Sequence, residues 1–248
     1  MKRTVKLNNT GLMMKATFEE EDINHIFIPL LSKWTALQKE LNRRIILFFG
    51  APPGAGKSTL SLFLELLSKE NENLTDVQVI GMDGFHHYAS YLKTHTEVRD
   101  GKTILLDEVK GAPETFDLNR MEEKLQEAKT KKELIWPAYS RTKHDVIDNA
   151  YTVNSDILLF EGNYLLMNQT EWKALRDTYS DFSMFLYADP ETLKIRLISR
   201  KIGSGHTKED AEAFYSFSDG VNVQTVLKDV GEADLYLKEE NGRYIAVG

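Results

Sequence analysis

The run Ala51-Pro52-Pro53-Gly54-Ala55-Gly56-Lys57-Ser58 has the spacing of a phosphate-wrapping loop, with alanine where the strict pattern has its first glycine. A chain that leaves a strand and closes around a phosphate must offer its own N–H groups. Side chains at positions 54 and 56 would block that approach, which explains the two glycines. The chain then enters a helix whose first unpaired amides face the same anion. In that geometry a lysine reaches the β- and γ-phosphates and the following hydroxyl takes a place on Mg²⁺. Gly54, Ala55, Gly56, Lys57, Ser58 and Thr59 are therefore expected to bind ATP with Mg²⁺.

Two acids close later apolar runs: Asp83 in Gly81-Met82-Asp83-Gly84-Phe85-His86-His87, and Glu161 in Phe160-Glu161-Gly162-Asn163-Tyr164. Ligands of open parallel sheets gather at the carboxyl ends of the strands. There Asp83 is placed either to take the proton of an attacking hydroxyl or to satisfy local amides in a turn. Glu161 stands where a Walker-B acid would, and with Ser58 it makes the expected Mg²⁺ site. The adjacent His86 and His87 would point opposite ways on an extended chain, so they do not read as joint metal ligands. His86 is the candidate hydrogen-bond partner for a substrate. Asp117 precedes a helix and is most simply its N-cap, whereas His144-Asp145 reads equally as a substrate-facing pair or a polar turn.

Arg196 and Arg200 lie four apart on a helix and share a face. With residues 201–206 they could form a cationic lid that closes over the triphosphate, excludes water and offsets transition-state charge, with Arg200 the catalytic contact. The alternative is a solvated helix face followed by an ordinary connector.

These groups need elements to hold them. Ile23, Phe27, Leu30, Trp34, Leu37 and Leu41 recur at helical steps, with Pro29 inside the pattern predicting a kink or a fresh start. Apolar runs at Ile45–Phe49, Val77–Met82, Asp156–Phe160 and Phe182–Tyr187 predict buried strands, and Glu133–Trp136 a weak one. Helices are predicted after Lys57, over Leu118–Ala128, after Asp189-Pro190-Glu191 and after Thr207. Asn241-Gly242 predicts a C-terminal hairpin. Strands alternating with helices indicate an α/β fold of the P-loop NTPase type, with a mostly parallel central sheet and helices on both faces. The expected organisation is a single domain over residues 1–248. It has an N-terminal segment and helix (1–42), an acceptor-pocket insertion (84–118) and the lid loop (201–206).

Composition excludes several classes. The chain of 248 residues has 42% hydrophobic and 28% charged residues and a net charge of −7, with no basic stripe to neutralise nucleic acid. The run containing Lys129, Lys131 and Lys132 ends a predicted helix, where cations complement the macrodipole. With no cysteine there is no disulfide or thiolate site. No apolar stretch approaches the ~20 residues of a membrane span, and the N-terminus lacks a secretory apolar core. A cytoplasmic protein with no membrane partner is expected.

Ala51 to Thr59, Met82-Asp83-Gly84-Phe85-His86, Gly111-Ala112-Pro113-Glu114-Thr115-Phe116-Asp117, Pro137-Ala138-Tyr139-Ser140-Arg141 and Phe160-Glu161-Gly162-Asn163-Tyr164-Leu165 occur in this order. The set resembles the phosphoribulokinase/uridine kinase family, and within it the pantothenate-kinase-like and sugar-kinase-like (fructose-transport-associated) members. The resemblance spans residues 45–222. It implies that Asp83 is the catalytic aspartate and Glu161 the metal-side glutamate. It also implies that Tyr139, Arg141 and His144 line the acceptor pocket, and that Ser218 to Asn222 lie near the adenine. Val221 stands where that family usually has proline, and the Asp-Ser-Phe-Tyr form of uridine kinases is absent. The expected function is an ATP-dependent kinase that transfers the γ-phosphoryl group to a hydroxyl of a sugar, nucleoside or pantothenate-like acid. The alternatives are an ATP-binding switch or hydrolase without an acceptor, or a nucleotide sensor. The resemblance also makes a homodimer an expectation, while the sequence leaves the acceptor and the oligomeric state open.

Overall fold

The computed structural model describes residues 1–9, 12–99 and 101–247. An antiparallel hairpin opens it, β1 (Lys2–Asn9) and β2 (Leu12–Glu19), followed by a short α1 (Glu20–Asp22), a π-helical turn (Ile23–Phe27) and α2 (Ile28–Leu41). Pro29 sits in the first turn of α2, where a missing N–H costs nothing. The core alternation then begins with β3 (Ile45–Gly50), α3 (Lys57–Lys69) and β4 (Val77–Gly81).

Residues between β4 and the next long helix form a 3₁₀ turn (Met82–Phe85), a short α4 (Ala89–Leu92) and an antiparallel pair, β5 (Thr96–Arg99) and β6 (Lys102–Leu105). Then come α5 (Leu118–Thr130), the antiparallel pair β7 (Leu134–Ser140) and β8 (Asp145–Val153), and β9 (Ile157–Gly162). The chain finishes with α6 (Thr170–Tyr179), β10 (Phe182–Ala188), α7 (Pro190–Gly203), α8 (Lys208–Phe214), a π-helical turn (Tyr215–Asp219), α9 (Gly220–Asp229), β11 (Leu235–Glu240) and β12 (Arg243–Val247).

The central sheet has the order β12-β11-β10-β3-β9-β4, all neighbours parallel except the β11–β12 pair. All six residues of β3 are buried, as a central parallel strand requires. Ile45, Leu47 and Phe49 join one apolar cluster with Trp34, Phe63, Leu64 and Leu193; Ile46 and Phe48 join the other with Met121, Leu125 and Trp172. Helices therefore cover both faces of the sheet, as the alternation predicts. The run of lysines ends α5, with Lys129 paired to Asp181 and Lys131 to Glu127.

Three local expectations gain detail and one, the lid loop, changes. The N-terminal segment is a hairpin whose Leu7 and Phe18 are buried, Phe18 stacking on Phe63 of α3 at 3.7 Å. The weak strand at Glu133–Trp136 lies outside the central sheet and pairs with β8, a strand with no clear apolar signal. Lys201, Ile202 and Gly203, expected in a lid loop, form the last turn of α7, leaving Ser204-Gly205-His206 as the connector to α8. The predicted C-terminal hairpin forms and extends the central sheet, because β11 pairs in parallel with β10. Its turn uses left-handed Asn241 and Gly242 at φ 54 and 78, as an Asn-Gly hairpin requires.

Candidate active site

Strand register brings the chemistry together. In the β3–β9 ladder Phe49 stands opposite Glu161 and Gly50 opposite Gly162, while in the β4–β9 ladder Gly81 stands opposite Glu161. The carboxyl ends of three adjacent parallel strands thus coincide. The chain leaving β3 becomes the glycine loop, the chain leaving β4 carries Asp83, and the last turn of β9 carries Glu161. In the loop Gly54 and Gly56 have φ of 84 and 93, conformations that disfavour any side chain. A Cβ added at Gly56 would meet nothing within 4 Å, whereas one at Gly54 would press on Leu197 at 3.0 Å.

Glu161 engages both chemistry-bearing side chains of that loop. Its Oε1 accepts a hydrogen bond from Ser58 Oγ at 3.0 Å, and its Oε2 pairs with the Lys57 ammonium. Burial is the main influence on Lys57 and lowers its pKa to about 8, with the Asp83 charge opposing that shift. Thr59 Oγ1 donates to Met14 Sδ at 3.6 Å, so the N-terminal hairpin reaches the loop's first helical turn.

Asp83 is exposed, in a turn whose position is set by a close approach. A Cβ at Gly84 would lie 2.4 Å from the Pro137 carbonyl oxygen, so only glycine lets this turn press against β7. Trp136 Nε1 reinforces the contact by donating to the Gly81 carbonyl at 3.1 Å. Beside Asp83, His86 is buried, stacked on Phe116 at 3.9 Å and edge-on to Tyr139 at 5.7 Å. Its Nδ1 lies 3.1 Å from Thr115 Oγ1 and 3.3 Å from the Thr115 carbonyl. That hydroxyl already donates to Ala112 O at 2.7 Å and the carbonyl can only accept, so Nδ1 carries the ring proton. Burial lowers the His86 pKa, with Asp83 opposing, so the ring is neutral and Nε2 offers a lone pair.

The remaining acceptor-side candidates separate. The Tyr139 ring is half-buried beside His86, with the Lys110 ammonium 4.7 Å from its centroid. His144, left-handed at φ 52, contributes its carbonyl, which accepts from Lys110 Nζ at 3.0 Å, while its ring is exposed. Arg141 is exposed in the turn between β7 and β8. Asp145 accepts from the Ala89 and Val146 amides at 3.0 and 2.8 Å, a local structural role. Asp117 caps α5, accepting from Arg120 N at 3.1 Å, as its position predicts. Trp34, Trp136 and Trp172 are core residues.

Arg196 and Arg200 do not act as a pair. Arg196 is held by Glu239 of β11 at 2.6 Å, and Glu239 is only 5% exposed. Arg200 keeps 61% of its side chain exposed and approaches Asp219 at 4.0 Å. Burial raises the Asp219 pKa, with Arg200 and Lys201 opposing. Ser218 and Asn222 are buried in and beside the π-helical turn, which places that segment across from Gly111, 3.8 Å from the Asn222 amide to a Cβ built there. Among the described residues no cluster of three His, Cys, Asp or Glu side chains could hold a metal unaided.

The model of the phosphoribulokinase/uridine kinase family matches residues 46–242. The chain belongs to that family. The phosphoribulokinase/uridine kinase family is one of P-loop kinases, consistent with the loop, sheet order and strand-end acids described above. The chain is 40% identical over 242 residues to the uncharacterized protein YggC of Escherichia coli (strain K12), covering 97% of this chain and 98% of that one. It is 28% identical over 222 residues to a pantothenate kinase of Levilactobacillus brevis, covering 79% of this chain and 69% of that one. A crystal structure from Silicibacter sp. TM1040, of a protein named provisionally as a fructose transport system kinase, superposes with a TM-score of 0.71 at 28% identity, covering 83% of this chain and 98% of that one. The family match begins after α2, so the N-terminal hairpin that touches Thr59 is additional to it.

Sequence reasoning missed three residues here: Lys110, Thr115 and Met14. Lys110 directly precedes the Gly111-Ala112-Pro113 run, and that adjacency was the signal that could have found it. Thr115 orients His86 from 29 residues away, and Met14 reaches Thr59 from 45 away, contacts no local pattern discloses. No helix among the described residues is long and apolar enough to cross a membrane.

Proposed function

We propose that this chain is an ATP- and Mg²⁺-dependent kinase that phosphorylates a hydroxyl of a small cytoplasmic metabolite. The observation that carries the reading is the place of Asp83. Its carboxylate is exposed at the end of β4 and acts electrostatically on both Lys57 in the phosphate loop and His86 in the opposite wall. A carboxylate between a phosphate cradle and a wall of aromatic and hydrogen-bonding groups suits a base for an incoming alcohol.

The residues present fit ATP and Mg²⁺. The space beside Gly56 is open, and Ser58 Oγ and Glu161 form a ready pair of hard oxygen ligands 3.0 Å apart. Mg²⁺ bound by Ser58 and Glu161 would neutralise charge on the β- and γ-phosphates. Lys57 binds and orients the same phosphates. Asp83 receives the proton of the acceptor hydroxyl, and His86 Nε2 accepts a hydrogen bond from a neighbouring hydroxyl and fixes its direction. Arg200, exposed at the end of α7, is free to turn from Asp219 toward the triphosphate.

The named relatives include a pantothenate kinase and the fructose-transport-associated protein, so the acceptor named differs among proteins similar to this one. The test is ATP consumption and product mass across a panel of hydroxyl metabolites, run with wild type and Asp83→Asn. Acceptor-dependent turnover lost in Asp83→Asn is expected. ATP hydrolysis that ignores every acceptor and survives Asp83→Asn would sink the kinase reading in favour of a switch or hydrolase.

A further inference from the structure

The charge of the acceptor wall is at odds with the charge of the chain. The protein carries a net −7, yet a cation, Lys110, sits on the Tyr139 ring beside His86, which feels both it and Asp83. Lys93 acts on the same Asp145 as Lys110, and Arg141 and Lys143 are exposed in the turn that carries His144. Three carboxylates of these segments have partners of their own. Asp145 is bound by the Ala89 and Val146 amides, with Lys93 and Lys110 both holding its pKa down from a distance. Asp148 accepts the Tyr88 hydroxyl at 2.8 and 2.9 Å and lies 3.5 Å from Arg120. Glu114 is paired with Arg99 at 3.0 Å.

Lys110 is placed and oriented, and among the described residues no carboxylate lies within ion-pair distance of its ammonium. Its stem leaves the insertion just before Gly111, and its ammonium sits on the Tyr139 face at 4.7 Å, anchored by the His144 carbonyl at 3.0 Å. Two neutral contacts hold the head without neutralising it, and three donors on an ammonium leave two for a ligand. The same Tyr139 ring meets His86 edge-on at 5.7 Å, so cation and imidazole flank one aromatic platform, and the Lys110 charge is felt at His86. The wall therefore presents three distinct groups: a carboxylate at Asp83 and a lone pair at His86 Nε2, both suited to hydroxyls, and a cation at Lys110, suited to an anion.

We propose that the phosphoryl acceptor is an anionic hydroxy compound, its carboxylate or phosphate ester bound by Lys110 while Asp83 and His86 Nε2 engage its hydroxyls. The assignment rests on the kinase reading above and narrows it: neutral nucleosides and unmodified sugars lack the group that Lys110 selects. Lys110 binds and does not take part in the transfer, in which the acceptor oxygen bonds to the γ-phosphorus, the bond to the β–γ bridging oxygen breaks, and the hydroxyl proton passes to Asp83. A single charge-assisted contact of this kind sets a preference of about tenfold or more.

The experiment compares matched acceptors with the full chain and ATP-Mg²⁺: free hexoses and pentoses against their phosphate monoesters, and hydroxy acids against their primary amides. Wild type, Lys110→Met and Lys110→Arg are assayed, with KM for acceptor and for ATP determined separately. The expected result is turnover of the anionic member of a pair with kcat/KM at least about tenfold above its neutral partner. Lys110→Met is expected to erase that preference through acceptor KM, with ATP KM and kcat little changed and the preference kept in Lys110→Arg. Which pair shows the preference tells carboxylate from phosphate ester. Better turnover of neutral compounds would overturn the inference and leave the kinase reading intact. So would a Lys110→Met effect that falls on ATP KM, which would place Lys110 on the nucleotide. ATP binding with no phosphorylation of any compound would overturn the kinase reading itself and this inference with it.

Discussion

Lys57 and Glu161 form an ion pair that joins the phosphate loop to the end of β9, and the second oxygen of the same carboxylate takes the Ser58 hydroxyl at 3.0 Å. The pair is largely withdrawn from solvent, with side-chain exposures of 10% and 16%. Any anion that takes Lys57 must displace Glu161, and that carboxylate is then free to ligate a cation with Ser58. In the proposed function, one acid would couple triphosphate binding to metal binding. Such coupling makes the individual roles separable by mutation.

Asp83→Asn keeps shape and hydrogen bonding but removes the proposed base. We expect kcat to fall on the order of 10²–10⁴-fold, with ATP affinity within about threefold of wild type because the contact lies on the acceptor side. Single-turnover kinetics and calorimetric ATP titration check both halves. Unchanged acceptor phosphorylation would return Asp83 to a turn residue.

Glu161→Gln behaves differently. It removes the counter-ion of Lys57 and weakens one of two proposed Mg²⁺ ligands, so activity is expected to drop and to recover in part as Mg²⁺ is raised. An Mg²⁺ titration of wild type and variant reads this directly. A loss that stays constant at all Mg²⁺ concentrations would remove Glu161 from the metal.

The lowered Lys57 pKa predicts a pH dependence of nucleotide binding. ATP favours the charged ammonium, so affinity should weaken as pH rises above about 8. For one proton the slope is at most about tenfold per pH unit. Lys57→Arg, always charged, should bind with a flatter profile. The stability effect has its own sign. The folded pKa, about 8, lies below the ordinary 10.5, so the unfolded chain binds more protons between those values and stability contributed by this group rises across that window. Calorimetry and denaturant melts from pH 7 to the upper end of the window test the two signs independently.

Arg196 and Arg200 should part company. Arg196→Ala strips the buried Glu239 of its partner, an expected loss of about 1–3 kcal/mol, seen as a lower denaturation midpoint. Arg200→Ala, with its side chain 61% exposed, should leave stability within about 0.5 kcal/mol and instead reduce kcat. Equal effects of the two substitutions on both measurements would contradict the separation.

The N-terminal hairpin should prove structural at its base. Phe18 stacks on Phe63 at 3.7 Å and meets Phe27 edge-on at 6.1 Å. Phe18→Ala is expected to cost about 3–5 kcal/mol by equilibrium denaturation. A loss well below about 1 kcal/mol, the size of an ordinary substitution, would show that the hairpin is not integrated with α3.

The sequence by itself determined the parts whose physics is local. Glycines at 54 and 56, an apolar run before them and helical spacing after them admit one arrangement, a loop from a buried strand into a helix. Asp189 and Thr207 announced their helices because a cap is made within three residues: Asp189 accepts from Glu191 N at 2.9 Å and Thr207 from Asp210 N at 3.1 Å. Asn241-Gly242 announced its hairpin for the same reason. The β1–β2 hairpin was present as alternation at Val5 and Leu7 and at Met14, Ala16 and Phe18, although flanking lysines and threonines blurred it.

Tertiary structure decided everything that depended on partners far along the chain. Asp83 and Glu161 are 78 residues apart in sequence and share a site because β4 and β9 are neighbours in register, with Gly81 opposite Glu161. Arg196 and Arg200 look alike on a helical wheel, and only the arrival of β11 beside α7 ties one to Glu239 and leaves the other exposed. His86 gains its tautomer from Thr115, and Lys110 its fixed position from Tyr139 and His144. Spacing in sequence orders residues that interact within a turn or two. Protonation, pairing and charge at a site follow from what the fold packs around it.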